Sequence, residues 1–146
     1  MTFRGSIFFR VRDYLNLMDY EPTSDKKWHL KITVGIRRSK RNIHFHIGPE
    51  HVTIYYYCGS LKNLSEGEQR YILRELHNMN DEGDYAYFTV DVMDDIYVVA
   101  RIPIIVLNFD IFSIFLGSVI EMARKYIDKF ERKEKNLSKD KNRLAT

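Results

Sequence analysis

The chain has 146 residues, of which 45% are hydrophobic, 29% charged and 14% aromatic, which supports one globular domain with a sizeable core and excludes a disordered or fibrous chain. Lys and Arg number 23 against 20 Asp and Glu, a net charge of +3 that is too small to imply nucleic acid by itself. The surplus sits in Glu131–Thr146, where six basic residues face three acids, so residues 1–130 are neutral. We therefore expect a single domain over residues 1–130 and a basic, frayed or disordered tail over 131–146.

Cys58 is the only cysteine, so no intrachain disulfide can form and a reducing, cytoplasmic location is expected. Arg4, Arg10, Arg12 and Asp13 interrupt the apolar residues near the N-terminus and leave no signal-peptide core. The most apolar stretch, Ile102–Ile120, is divided by Asn108 and Asp110 and contains Pro103. Each part is too short to span a bilayer, so no membrane partner is expected, and a buried strand followed by a buried helix accounts for the stretch.

In chain order, Ser6–Asp19 reads as a helix with Phe8, Val11, Leu15 and Met18 on one face, ended by Glu21-Pro22. Trp28–Val34 follows as a strand with Trp28, Leu30, Ile32 and Val34 inward, and Gly35–Arg41 reads as a basic loop. The stretch Asn42–Cys58 alternates strictly on both sides of Gly48-Pro49. Ile43, Phe45, Ile47, Val52, Ile54 and Tyr56 point one way, and His44, His46, Thr53, Tyr55 and Tyr57 the other. Placing Ile47 opposite Val52 pairs His46 with Thr53, Phe45 with Ile54 and His44 with Tyr55. Gly59-Ser60 is expected to break that strand.

Ser65-Glu66-Gly67-Glu68 forms a capping box that opens a helix to about Met79. Tyr85–Val92 and Ile96–Leu107 make a second hairpin around Met93-Asp94-Asp95, with Tyr85, Tyr87, Tyr97, Val99 and Arg101 outward. Asn108 or Asp110 caps a last helix to about Arg132, striped by Phe112, Phe115, Leu116, Val119, Ile120, Ala123, Tyr126, Ile127 and Phe130. The order α-βββ-α-ββ-α gives an α+β fold, a two-layer sandwich of a five-stranded antiparallel sheet with helices on one face.

No catalytic signature is present. GxSxG, HExxH, Walker A and GxGxxG are all absent, and the seven glycines never cluster into a phosphate loop, so neither a cofactor nor an enzymatic activity is expected. Cys58 has no base placed near it, and the acids around Asp81–Asp84 and Asp94-Asp95 are turn formers. His44 and His46 share one side of a strand and could chelate, yet a metal needs a third ligand at about 2.0–2.2 Å. With Thr33 opposite His44, Lys31 faces His46 and His29 lies one step further along. No metal site is assigned.

The outward set, His44, His46, Tyr55, Tyr57, Tyr87, Tyr97 and Arg101, is a polar-aromatic sheet face rich in residues favoured at protein interfaces. The same rings could stack unpaired bases while Arg37, Arg38, Lys40 and Arg41, with the basic tail, contact phosphates. The neutral domain and an element order unlike the βαββαβ of RNA-recognition motifs place nucleic acid second, behind another polypeptide that would cover this face or lie in apolar grooves beside the last helix. On the last helix, Ile111, Ile114 and Met122 widen the apolar stripe beyond what one sheet face needs. A second copy of the chain would cover that breadth, and deeper burial within the monomer would explain it equally well.

The succession of elements resembles the fold shared by type III secretion chaperones and the YbjN-like sensory-transduction regulators. It covers about Ser6–Phe130 and is carried by LNLMDYEP, the meander WHLKITV / NIHFHI / VTIYYYC, the capped helix SEGEQRYILREL, the hairpin YAYFTVDV / IYVVARIPI and the long last helix. These are pattern matches with no catalytic motif to transfer. The resemblance implies a non-enzymatic, dimeric module that binds other polypeptides. One feature departs from it: secretion chaperones are usually acidic, and this chain is neutral with a basic end.

Overall fold

A computed structural model describes residues 3–131, so residues 132–146 of the expected tail lie outside the described part. The elements are α1 (Phe3–Leu17), β1 (His29–Ile36), β2 (Ser39–Ile47), β3 (His51–Ser60), α2 (Glu66–Glu82), β4 (Tyr87–Val90), β5 (Asp95–Pro103) and α3 (Phe109–Tyr126). A 3₁₀ turn over Ile104–Val106 precedes α3, and a π-helical turn over Ile127–Glu131 extends it. The strands form one antiparallel sheet in the order β1-β2-β3-β5-β4. This is the expected two-layer α+β arrangement.

The alternation decides the layers. Leu30, Ile32, Ile43, Phe45, Val52, Ile54, Val98, Ala100 and Ile102 all point to one face and are almost fully buried. They meet Ile7, Val11 and Leu15 of α1, Leu76 and Met79 of α2, and Phe112, Leu116, Val119 and Met122 of α3 in one cluster. Phe112 joins the layers, with Phe45 at 5.7 Å on the sheet side and Tyr14 of α1 at 5.5 Å. Each such side chain contributes about 1.5–3 kcal/mol by leaving water. Among the described residues all three α-helices lie on one side, and no helix covers the other side of the sheet.

Local chemistry fixes the ends. The Ser65 hydroxyl accepts from the Glu68 amide at 3.1 Å and opens α2; Asn108, rather than Asp110, caps α3 by accepting from the Ile111 amide at 2.9 Å. Gly83 closes α2 at a tight place, since a Cβ there would stand 2.9 Å from the Ala86 carbonyl oxygen.

The structure corrects several expectations. Gly35–Arg41 is not a loop: β1 runs to Ile36, β2 starts at Ser39, and only Arg37 and Arg38 turn the chain, both with positive φ (50° and 71°). This moves the register, so Lys31, not Thr33, stands opposite His44, and His29 stands opposite His46. The register expected for β2 and β3 is the one observed. Gly59-Ser60 does not end β3; the ladder skips Cys58 in a bulge and continues through Ser60. Strand β5 stops at Pro103, the last residue paired with β3; the Ile104 amide still donates to the Glu50 carbonyl at 2.9 Å, and Ile105 lies 93% exposed in the 3₁₀ turn instead of in a strand. Tyr85 leaves the sheet face and stacks on Phe115 of α3 at 4.7 Å. Glu131, expected in the tail, ends the last helical turn.

A tyrosine and histidine face as the candidate functional site

The sheet register lays the outward residues in rows across the strands. One row runs Lys31, His44, Tyr55, Val99, Tyr87; the row on one side of it is His29, His46, Thr53, Arg101, and the row on the other includes Tyr57, Tyr97 and Thr89. Sheet geometry therefore brings the predicted set onto one surface. The rings of His44 and Tyr55 stack at 5.0 Å, Tyr55 meets Tyr97 edge-on at 6.1 Å, and Tyr97 meets Tyr57 at 5.5 Å. Tyr57 and Tyr87 are exposed, and His46 stands open at the other side. Arg101 reaches only a long 3.5 Å contact with His51.

Charge divides this face. Asp91 and Asp95 lie beside Tyr57 and Tyr97; desolvation first, then these carboxylates, raise both phenol pKa values. Arg101, with His46 and His29 in its row, stands six residues from Asp95 along β5, about 20 Å at 3.3–3.4 Å per residue. A ligand crossing the face therefore meets acid at one end, aromatic rings in the middle and base at the other.

The corrected register assembles a group that the sequence did not reveal. His29 Nδ1 lies 3.1 Å from Asp25 Oδ1, and His29 Nε2 lies 2.9 Å from His44 Nδ1. Their ring centroids are 5.1 Å apart, so the two imidazoles meet edge to edge. Burial first, then the neighbouring His29 and Lys31, hold the His44 pKa below its ordinary value. Asp25 precedes His29 by four residues, which was the available signal. The facing nitrogens of the pair are engaged with each other, and among the described residues no three metal-ligating side chains converge.

The remaining candidates fall elsewhere. Arg41 is partly buried on the helix side, where it donates to both carboxylate oxygens of Glu131 (3.1 and 2.6 Å) and to the Tyr56 hydroxyl at 3.0 Å. Arg37, itself exposed, pairs with Asp128 at 2.8 Å, and Arg38 and Lys40 are further exposed cations of this hairpin. Of the α3 residues, Ile114 is exposed and Ile111 half-buried. Met122 is only 2% exposed and packs at Gly83, so it belongs to the monomer core and offers no surface to a second copy. Cys58 is buried, and that burial pushes its thiol pKa far up, the opposite of an activated nucleophile. Beside it, a groove of about 510 Å³ is lined by Leu64, Tyr71, Ile72, Tyr126 and Phe130.

Among solved structures this fold is that of the type III secretion chaperones. A chain of the HopA1–SchA chaperone–effector complex matches with a TM-score of 0.58 and 11% identity, over 88% of this chain and 99% of that one. A chain of the ExsC–ExsE complex matches at 0.59 and 12%, over 88% and 96%. A chain from the complex of the Yersinia pestis type III secretion chaperone SycH with a stable fragment of YscM2 matches at 0.52 and 13%, over 81% and 97%. No family model and no curated protein matches the sequence. At these identities the likeness carries the fold, so any functional argument rests on the chemistry of the surfaces.

Proposed function

We propose that this chain is a non-enzymatic, homodimeric module, chaperone-like or a regulatory adaptor, that binds another polypeptide across the outer face of its sheet. The observation that carries the reading is the aromatic surface of His44, Tyr55, Tyr57 and Tyr97, with every described helix packed on the opposite side of the sheet. Rigid tyrosines give large contact area at low entropic cost, and Arg101 and His46 at one end with Asp91 and Asp95 at the other would set orientation. The complexes in which this fold recurs support a polypeptide as the occupant. Dimerisation would use the exposed Ile114 with Ile111.

The test is site-specific photocrosslinking in cells. Benzoylphenylalanine at Tyr57 or Tyr97 is expected to capture a polypeptide that the same probe at the exposed Arg74 on α2 does not. The purified partner is then expected to lose at least about tenfold in affinity for Tyr57→Ala, as interface tyrosines commonly contribute more than about 1.4 kcal/mol. Tight, salt-sensitive binding of single-stranded oligonucleotides abolished by Tyr55→Ala would instead select the nucleic-acid reading. A clean monomer by light scattering at high micromolar concentration, unchanged by Ile114→Glu, would remove the dimer.

A further inference from the structure

Asp25, His29 and His44 form a hydrogen-bonded chain that enters the tyrosine face from its β1 edge. A carboxylate only accepts, so the proton of the first bond sits on His29 Nδ1 and leaves His29 Nε2 as an acceptor. His44 then donates to it from Nδ1, and His44 Nε2 is the open position. One proton taken from water at His44 Nε2 keeps every bond, because the imidazolium still donates to His29. A second proton has only His29 Nε2 left to occupy. Two N–H groups would then point at each other across 2.9 Å, and the pair must part.

The surroundings sharpen that outcome. His29 is the one buried polar residue among those described, and the ring of His44 lies against Tyr55 of β3. Lys31 on β1 and Lys26 in the preceding loop add positive charge toward His44, against the single carboxylate of Asp25. Arg4 of α1 acts on the neighbouring His46 in the same sense. The chain of groups can therefore share one proton and resists two.

We propose that these three residues are a proton-operated switch on the polypeptide-binding face: acidification parts the histidine pair, turns the face cationic and weakens its hold on a covering segment. The proposal rests on the reading of that face as a docking surface. A segment lying over neutral imidazoles and phenols desolvates little charge, whereas one lying over two imidazoliums beside Lys31 must strip water from both.

Two experiments test it. In the free chain, nitrogen-15 NMR of the imidazoles is followed from about pH 8 to pH 4.5. At the alkaline end both rings are expected to carry their proton on Nδ1. The second protonation is expected to move the amides of Lys31, Thr53 and Tyr55 together, and His44→Gln to abolish that joint step while the other amides keep their native positions. Two independent titrations that leave the Tyr55 amide unmoved would overturn the switch. In the second experiment, affinity for the polypeptide captured from Tyr57 is measured at about pH 7.5 and pH 5.5. It is expected to fall at least about tenfold, the effect of one pKa unit of linkage, and to fall under about threefold in His44→Gln. An affinity independent of pH overturns the switch. Failure to capture any polypeptide at either pH overturns the docking reading, and with it the switch's role, even where the first experiment shows the pair parting.

Discussion

Arg41 and Glu131, ninety residues apart in sequence, form a two-pronged ion pair that ties the β1–β2 hairpin to the last described turn of the C-terminal helix. The Glu131 hydrogen bonds also raise the Arg41 pKa further, so the guanidinium stays charged at any working pH. Arg41→Ala would leave a half-buried carboxylate and the Tyr56 hydroxyl without this donor. The expected loss is about 2–3 kcal/mol of stability, read as a lower urea midpoint at unchanged slope. Lys40→Ala, on an exposed neighbour, is expected to stay within about 0.5 kcal/mol. Removing both Arg41 and Glu131 should cost less than the sum of the single changes.

The turn beside that pair carries strain. Arg37 and Arg38 both adopt positive φ, which a two-residue hairpin of the primed type requires and which Asn-Gly would satisfy more readily. Left-handed backbone costs a non-glycine residue about 1–2 kcal/mol, and a glycine loses about 0.5–1 kcal/mol of chain entropy on folding. Replacing Arg37-Arg38 with Asn-Gly is therefore expected to stabilise the chain by about 1 kcal/mol. The replacement also removes the Arg37–Asp128 ion pair, at little cost because Arg37 is exposed. A destabilised variant would mean that the ion pair outweighs the strain.

That turn also explains where the sequence was legible. The β2–β3 register was readable because Gly48-Pro49 marks its turn and Ile43–Ile47 and Val52–Tyr56 alternate without a break. Nothing in Arg37-Arg38 announces a hairpin, so the basic stretch reads as a loop, the β1–β2 register read from sequence is two residues off, and the meeting of His29 with His44 is not legible. The run over residues 102–107 is apolar throughout, in strand and out of it, so its pattern does not mark where β5 ends at Pro103 and the 3₁₀ turn begins. On α3, periodicity located the apolar stripe but could not tell Met122, buried against Gly83, from Ile114, which is 52% exposed.

Strand β4 is at the edge of the sheet and is closed by one side chain. The Asn80 amide group donates to the Phe88 carbonyl at 3.1 Å, and its carbonyl oxygen accepts from the Phe88 amide at 2.6 Å, as a neighbouring strand would. Ala86 is held likewise through its amide by the Ser118 hydroxyl at 3.0 Å. Asn80→Ala should cost about 2–3 kcal/mol, since a partly buried donor and acceptor both lose their partner. Hydrogen exchange at the Phe88 amide is expected to rise well before exchange at Val98, its neighbour on β5. Equal protection of both amides in the variant would show that the edge does not depend on Asn80.

Stability against pH carries the sign of the histidine environment. The pKa values of His44 and His46 both lie below the ordinary 6.5: for His44 through burial, then His29 and Lys31, and for His46 through burial, then Arg4. The unfolded chain therefore binds these protons more readily than the folded one, and unfolding free energy rises with pH across that window. The contribution is fully present above about pH 6.5 and is lost as pH falls through the lower folded-state values. Urea midpoints measured from pH 8 to pH 5 should decline on the acid side. His44→Gln should flatten the decline, because glutamine does not titrate and its amide can still donate to His29 Nε2. A midpoint that stays level or rises on acidification in the wild type would show that the folded chain welcomes the proton.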